Sequence, residues 1–329
     1  MENKLENILY INTGGGIGDA LICLPIFNYI NENFKPKNIF YYSSDLDNFW
    51  FEEKLEEYKP NNLITIKNFP LHFGFRNHHS KISKKLIEKF DFDYFDLIID
   101  NQTRLKNTFI YRKIPHKYFI SPSLNYLFSK PLFFNKKRKN LLMRLLFYFD
   151  KIIGKKSIPN YKIEIPEKFV NKAKELMPNN KKYIGFSITA GHPTRIKELS
   201  IHEIIKVANY YSKDFIPTFF IEDKYLEIKK RLKDEINNSF FPEENLDKEF
   251  KKPMIVTAMG SLTEFNISID NGISHMLSFS NSKNYIFFNR SSEKFKPSNN
   301  NSAIYDCEKT DKNIDKLSSE EIIDFIIKN

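Results

Sequence analysis

Short apolar runs alternate with longer stretches of helical periodicity along the whole chain, a pattern that predicts α/β layers built on parallel sheets. In the first half, strands are expected at residues 7–12, 38–42, 63–66, 97–100 and 118–120, and helices at 19–31, 81–90 and 140–153. The second half repeats the scheme, with strands at 183–187, 216–221, 254–257, 267–269 and 284–288, and helices at 201–211, 224–232 and 273–280. Residues 158–169 (IPNYKIEIPEKF) carry two prolines and read as a connection; residues 319–327 read as a closing helix. The simplest architecture is two doubly wound α/β domains, 1–160 and 161–317, facing each other across a cleft, with ligands beyond the carboxyl ends of the strands. The last piece, 318–329, is expected to pack back on the N-terminal domain.

Composition narrows the class. With 41% hydrophobic residues, 32 Phe and 17 Tyr in 329 residues, the chain is globular and long enough for two cores. Cys23 and Cys307 are the only cysteines and lie far apart, which excludes a disulfide framework and a paired-cysteine metal site and fits a reducing compartment. The start, MENKLENILYI, opens with a strand instead of a charged and then apolar leader, and no apolar run approaches the ~20 residues of a membrane span. A cytoplasmic protein is expected. The net charge of +10 is uneven: between Lys130 and Lys156, nine Lys or Arg face the single acid Asp150.

Three stretches carry candidate chemistry. The first, ILYINTGGGIGDALICLP, runs from a strand through Gly14, Gly15, Gly16 and Gly18 to Asp19 at the start of a helix. Glycines allow a ligand to approach the backbone closely. Asp19 reads either as a helix cap or as an acid at the cleft end of the loop; a simple cap needs no glycine run. The spacing GGGxG departs from the GxGxxG of a dinucleotide site. In the second, IGFSITAGHPTRIKELS, a strand opens into a loop holding Ser187, Thr189, Gly191, His192, Thr194, Arg195 and Lys197. Hydroxyls, amides and two cations suit a diphosphate, and a solvated connecting loop is the equal alternative. The third, ISIDNGISH, crowds Asp270, Asn271, Gly272 and His275 into the turn between a strand and a helix, where unpaired N–H groups can hold a phosphate. The competing reading is an Asx turn and a packed histidine. No second pair of ligands accompanies Asp270 and His275, so no metal site is expected.

In this order the three stretches resemble glycosyltransferase family 9, the heptosyltransferases of bacterial lipopolysaccharide assembly. The shared features are the small-residue loop and IGD before a Pro-containing helix (Gly18, Asp19, Pro25), the middle loop with Lys197, and D-S/T-G-x-x-H, here DNGISH. Leu199 and Ser200 replace the family's aromatic and Pro, and Asn271 stands where Ser or Thr is usual. The resemblance implies a GT-B fold and inverting, metal-independent transfer from a nucleotide-diphosphate sugar, with no other cofactor. It implies an acceptor-binding N-terminal domain containing Gly14, Gly15, Gly16 and Gly18, and Asp19 as catalytic base. The donor would be held by Thr189, Lys197, Asp270, Asn271, Gly272 and His275, and the acceptor would be a lipopolysaccharide-type or other surface glycan. A sugar-nucleotide-binding protein without activity, or a nucleotide-sugar epimerase or hydrolase of the same fold, are the alternatives.

Residues 140–153 (NLLMRLLFYFDKII) form an apolar helix between basic flanks. Such a helix can attach to an anionic membrane surface at the inner face of the cytoplasmic membrane. Its apolar residues run almost all the way round, which favours burial instead. No RNA-binding motif accompanies the cations, so nucleic acid is not an expected partner.

Overall fold

The computed structural model describes residues 5–12, 16–43, 53–66, 88, 92–101, 104–132, 140–154, 156–190 and 198–329. The helix expected at 81–90 lies outside the described residues apart from residue 88. The chain divides into two compact units, Met1–Lys162 and Ile163–Asn329.

Among the described residues the first unit holds five strands: β1 (Asn7–Ile11), β2 (Asn38–Tyr42), β3 (Leu63–Thr65), β4 (Phe95–Asp100) and β5 (His116–Ile120). They pair in the order β3-β2-β1-β4-β5, and every pairing is parallel. β1, β2 and β4 are buried nearly throughout, which is why they read as unbroken apolar runs. The helix expected at 19–31 is two, α1 (Ile17–Leu21) and α2 (Leu24–Phe34). Pro25 has no N–H to continue the first and is well placed in the opening turn of the second. Helix α3 (Leu105–Tyr111) follows β4. Helix α4 (Leu141–Ile153) buries Leu142, Leu145, Leu146, Tyr148 and Phe149. Phe149 packs against Tyr29 and Phe34 of α2, and Tyr148 stacks on Tyr126. The apolar face of α4 therefore belongs to the core of its own unit.

The second unit opens with α5 (Glu167–Leu176), which begins within the last residues of the expected connection, 158–169. Pro166 initiates it, and Phe169 and Ala173, four residues apart, are its buried stripe. Strands β6 (Tyr183–Ser187), β7 (Ile216–Phe219), β8 (Phe265–Ile269), β9 (Lys283–Phe288) and β10 (Ser302–Asp306) pair in the order β10-β9-β8-β6-β7, again all parallel. Glycine is required at position 185 of β6, because a Cβ there would overlap Asn266 Oδ1 on β8. Helices α6 (Ile201–Tyr211) and α7 (Leu226–Glu235) flank β7. Residues 254–257, expected as a strand, lie in helix α8 (Pro253–Gly260), packed on α5 and on α9 (Gly272–Leu277). A helix buried on several sides is apolar all round, so its short sequence looks like a buried strand.

After the short α10 (Cys307–Thr310), the closing helix α11 (Ser319–Lys328) packs on the second unit. Ile322 and Ile326 enter that unit's core, Phe325 packs against Tyr285, Phe287 and Tyr305, and the Ser319 N–H donates to Glu203 of α6 at 2.8 Å. Ser318 and Glu321 form a capping box at its start.

Beyond β7 an ionic cluster forms around Lys229, 2.9 Å from Asp223 Oδ1 and 3.8 Å from Glu243 Oε2. Burial pushes the Glu243 carboxyl from 4.5 up to about 7, with Lys229 opposing and Asp223 and Glu222 reinforcing the rise. Folded Glu243 thus holds its proton more tightly than the unfolded chain does. Its contribution to stability is complete below pH 4.5 and is lost as pH rises through about 7. The Tm of the wild type relative to Glu243→Gln is expected to fall across that window; a difference independent of pH would disprove the shift.

Candidate functional site

Each sheet has one point where its strand order reverses, and crevices for ligands form at the carboxyl ends of the strands there. In the first sheet this point lies between β1 and β4, where Ile11 pairs with Asp100. In the second it lies between β6 and β8, where Ser187 pairs with Ser268. Both places are occupied by polar residues.

At the first, β1 runs into buried Asn12. Its Nδ2 donates to Asp19 O at 3.0 Å, Cys23 Sγ at 3.3 Å and Tyr41 Oη at 3.2 Å. Cys23 Sγ also donates to Asp19 O, at 3.3 Å. The backbone that carries Asp19 is therefore tied to the end of β1. Burial pushes the Cys23 thiol up to about 12, so it stays a neutral donor and is no nucleophile. The cap position of α1 falls on Gly16, whose extended backbone offers no capping side chain. Asp19 stands in the first turn, and its Oδ2 lies 3.5 Å from where a Cβ on Gly16 would be. Gly18 lies within α1; Gly14 and Gly15 lie outside the described residues.

Sequence reasoning missed the neighbouring polar core at the end of β4. Asp100 is fully buried, and its Oδ2 accepts from Thr108 Oγ1 at 2.7 Å and Ser121 Oγ at 2.8 Å. Arg144 of α4 is only 7% exposed, and Asp100, Tyr10 and Tyr126 act on it electrostatically against the lowering caused by burial. Among the described residues, the Nε and Nη2 atoms of Arg144 have no hydrogen-bond partner, nor do Asn101 Oδ1, Asn107 Nδ2 and Tyr111 Oη. Unsatisfied buried donors are costly, and Nε with Nη2 is the edge of a guanidinium that can hold two oxygens of one anion. The only sequence signal was an acid closing an apolar strand.

At the second switch point, Asn271 is the N-cap of α9, with Oδ1 accepting from the Ser274 N–H at 2.9 Å. Its Nδ2 donates across the sheet to Ser187 Oγ at 2.8 Å and Thr189 O at 3.0 Å. One amide therefore caps the helix and ties the turn after β8 to the turn after β6. Its oxygen and nitrogen are both engaged inside the protein, so Asn271 positions the turn. The loop after β6 is held further along, where the Ala190 N–H donates to Glu198 Oε1 at 2.7 Å and Tyr225 Oη donates to Ala190 O at 2.8 Å. Asp270 and Gly272 are half-buried at the strand end, and Thr189 and His275 are buried. Gly272 and Ile273, first in the helix, have no intrahelical carbonyl to donate to. Gly191, His192, Thr194, Arg195 and Lys197 lie outside the described residues. Among the described residues, no group of three or more His, Cys, Asp or Glu could hold a metal ion, and no helix is long and apolar enough to cross a membrane.

No protein-family model matches the chain, and no curated protein matches it by sequence. Solved structures do. The chain is similar to a glycosyl transferase family 9 protein from Veillonella parvula, with a TM-score of 0.70 and 16% identity over 98% of this chain and 96% of that one. It is similar to the E. coli heptosyltransferase WaaC solved with ADP-2-deoxy-2-fluoro heptose, with a TM-score of 0.66 and 16% identity over 98% and 99% of the two chains. For E. coli ADP-heptose lps heptosyltransferase II the TM-score is 0.60 at 12% identity, over 98% and 97%. At these identities the likeness is one of fold, and the chain has the GT-B fold, two parallel-sheet α/β domains, that these glycosyltransferase structures share.

Proposed function

We propose that the protein is a glycosyltransferase that moves a sugar, heptose or similar, from a nucleotide-diphosphate donor to a surface glycan of lipopolysaccharide type. The observation that carries this reading is the placement of Asp19 and of the Asp270–His275 turn, each at the switch point of its own sheet. In the proposed reaction an acceptor hydroxyl attacks the anomeric carbon from the face opposite the diphosphate, forming the glycosidic bond as the carbon–phosphate-oxygen bond breaks. Asp19 takes the hydroxyl proton. Lys197, with Thr189, Asp270, Gly272 and His275, holds the donor, and Lys197 and the N–H groups after Asp270 meet the charge developing on the departing nucleoside diphosphate. That scheme asks for no metal.

A thermal-shift screen against nucleoside diphosphates and their sugars tests the donor half. A ligand at a hundredfold excess over its Kd stabilises the folded state by about 2.7 kcal/mol, so at least one nucleotide sugar is expected to raise Tm by several degrees. No shift with any of them would remove the donor site.

A further inference from the structure

Residues 101–149 contain no Asp or Glu and eleven Lys or Arg, which leaves the remainder of the chain with a net charge of −1. The structure shows where part of this stretch goes. The chain leaves β5 at Ile120, makes a loop, and returns at Lys130, where Phe119 and Lys130 exchange backbone hydrogen bonds of 2.9 and 2.8 Å. Ser129 Oγ closes the neck, accepting from the Ser121 N–H at 3.0 Å and donating to Ser121 O at 3.1 Å. Helix α3 lies against the loop: Thr108 Oγ1 is 2.6 Å from Ser123 Oγ, and the rings of Phe109 and Phe128 meet edge to face at 4.7 Å.

Two features of this anchored loop are locally unfavourable. Leu124, Asn125 and Tyr126 are consecutive non-glycine residues with φ of 45, 53 and 71°. Left-handed backbone is unfavourable for Leu124 and Tyr126 and better tolerated by Asn125. The loop also turns apolar groups outward: Leu124 is 59% exposed and Leu127 47%, next to exposed Leu105 and Phe109 on α3 and Leu132 just past the neck. Leu105 and Phe109 are four residues apart and share one helix face. Exposed cations adjoin these elements: Arg104 and Arg112 are the two caps of α3, Lys113 follows it, Lys117 lies near the start of β5 at the end away from the loop, and Lys130 is at the neck.

From this geometry we infer that the loop 121–129 and the outer face of α3 form a docking surface for an anionic lipid leaflet, with Leu124 and Leu127 entering the acyl boundary and the cations meeting headgroup phosphates. Aliphatic tips on a protruding, braced loop suit a fluid apolar phase, and a long acid-free stretch suits a surface of uniform negative charge. Single-stranded nucleic acid calls instead for successive exposed aromatic platforms, whereas here exposed leucines outnumber Phe109, whose ring already meets Phe128 edge to face. The surface differs from helix α4, whose Leu142, Leu145, Leu146, Tyr148 and Phe149 are already in the core. It extends the glycan-transfer reading, since a lipid-linked acceptor is presented at such a leaflet.

Co-sedimentation of the full chain with phosphatidylcholine vesicles, with and without phosphatidylglycerol, tests it. Pelleting is expected with the anionic vesicles only, and the double variant Leu124→Asp, Leu127→Asp is expected to weaken it about tenfold. Leu226→Asp, at an exposed leucine of the second unit, is expected to leave it unchanged. Absence of pelleting with anionic vesicles overturns the inference. So does equal pelleting by the loop variant with an unchanged melting curve, or displacement of the protein from vesicles by single-stranded DNA. Vesicle binding needs no nucleotide. If it is retained in a protein that ignores every nucleotide sugar, the transferase reading falls and the docking surface stands.

Discussion

Asp19→Asn is expected to lower turnover by about 10²–10⁴-fold, the share of rate that a positioned general base supplies. Turnover is followed as release of nucleoside diphosphate in the presence of acceptor. The substitution isolates one property of the side chain, its capacity to take a proton. The cap position belongs to Gly16, and the turn is secured through the Asp19 carbonyl by Asn12 and Cys23, so the side chain is not what holds the backbone. Removing a negative charge from the first turn of a helix costs only about 0.3–1 kcal/mol, so the melting curve should hardly move. Nucleotide affinity is expected to be unaltered, because the residues assigned to the donor belong to the other unit. Wild-type turnover by this variant would show that another group removes the proton, whereas lost nucleotide binding would mean the two units' roles have been misassigned.

The second large effect is expected at Asn271, and it is one of stability. Alanine there removes a helix cap, worth about 1 kcal/mol, and two further hydrogen bonds of about 1 kcal/mol each, which amounts to roughly 2–4 kcal/mol. Buried Ser187 would lose a partner at the end of β6 as well. Asn271→Ser is the informative companion. A serine hydroxyl caps a helix as well as an asparagine does but has one proton to donate, so about half of the loss should return. Equilibrium denaturation of the two variants measures both values. Identical stability of wild type and alanine variant would mean that the cross-sheet bonds are replaced by water at no cost, and that the two turns are independent.

Where local pattern and tertiary setting agree, the elements are legible in the chain: 38–42, 183–187 and 201–211 fall at the expected bounds. The failures share a cause. Residues 254–257 combine β-branched Ile, Val and Thr in a short apolar run, and only their packing between two other helices makes them helical. Helix α3 exposes Leu105 and Phe109 on its outer side, which blurs the periodicity that would announce it. Strand β10 sits at the edge of its sheet and is half-buried along most of its length, so it lacks the dense apolar signal of a central strand. Within the candidate site, Asp19, Asp270 and His275 stand out because glycine-containing turns flag them. Asp100 and Arg144 do not, since the strand end and the helix that carry them are distant in sequence and only the fold brings their charges together. Asn271 was legible as a departure from a family pattern, but its cross-sheet bonds were not.

That asparagine also has a bearing on how the protein ages. Asn271 is followed by Gly272, and an unhindered glycine N–H attacks a preceding asparagine amide more readily than any other residue does, expelling ammonia and leaving an aspartate or its isomer. The product would place a carboxylate against the Ser187 hydroxyl and the Thr189 carbonyl, where the lost nitrogen had been the donor. In the intact turn, three hydrogen bonds tie the amide down and restrict the rotation that such an attack requires. Chemical damage at this atom is therefore paced by how often the turn opens, and a bound ligand that keeps the turn closed would also prolong the working life of the site.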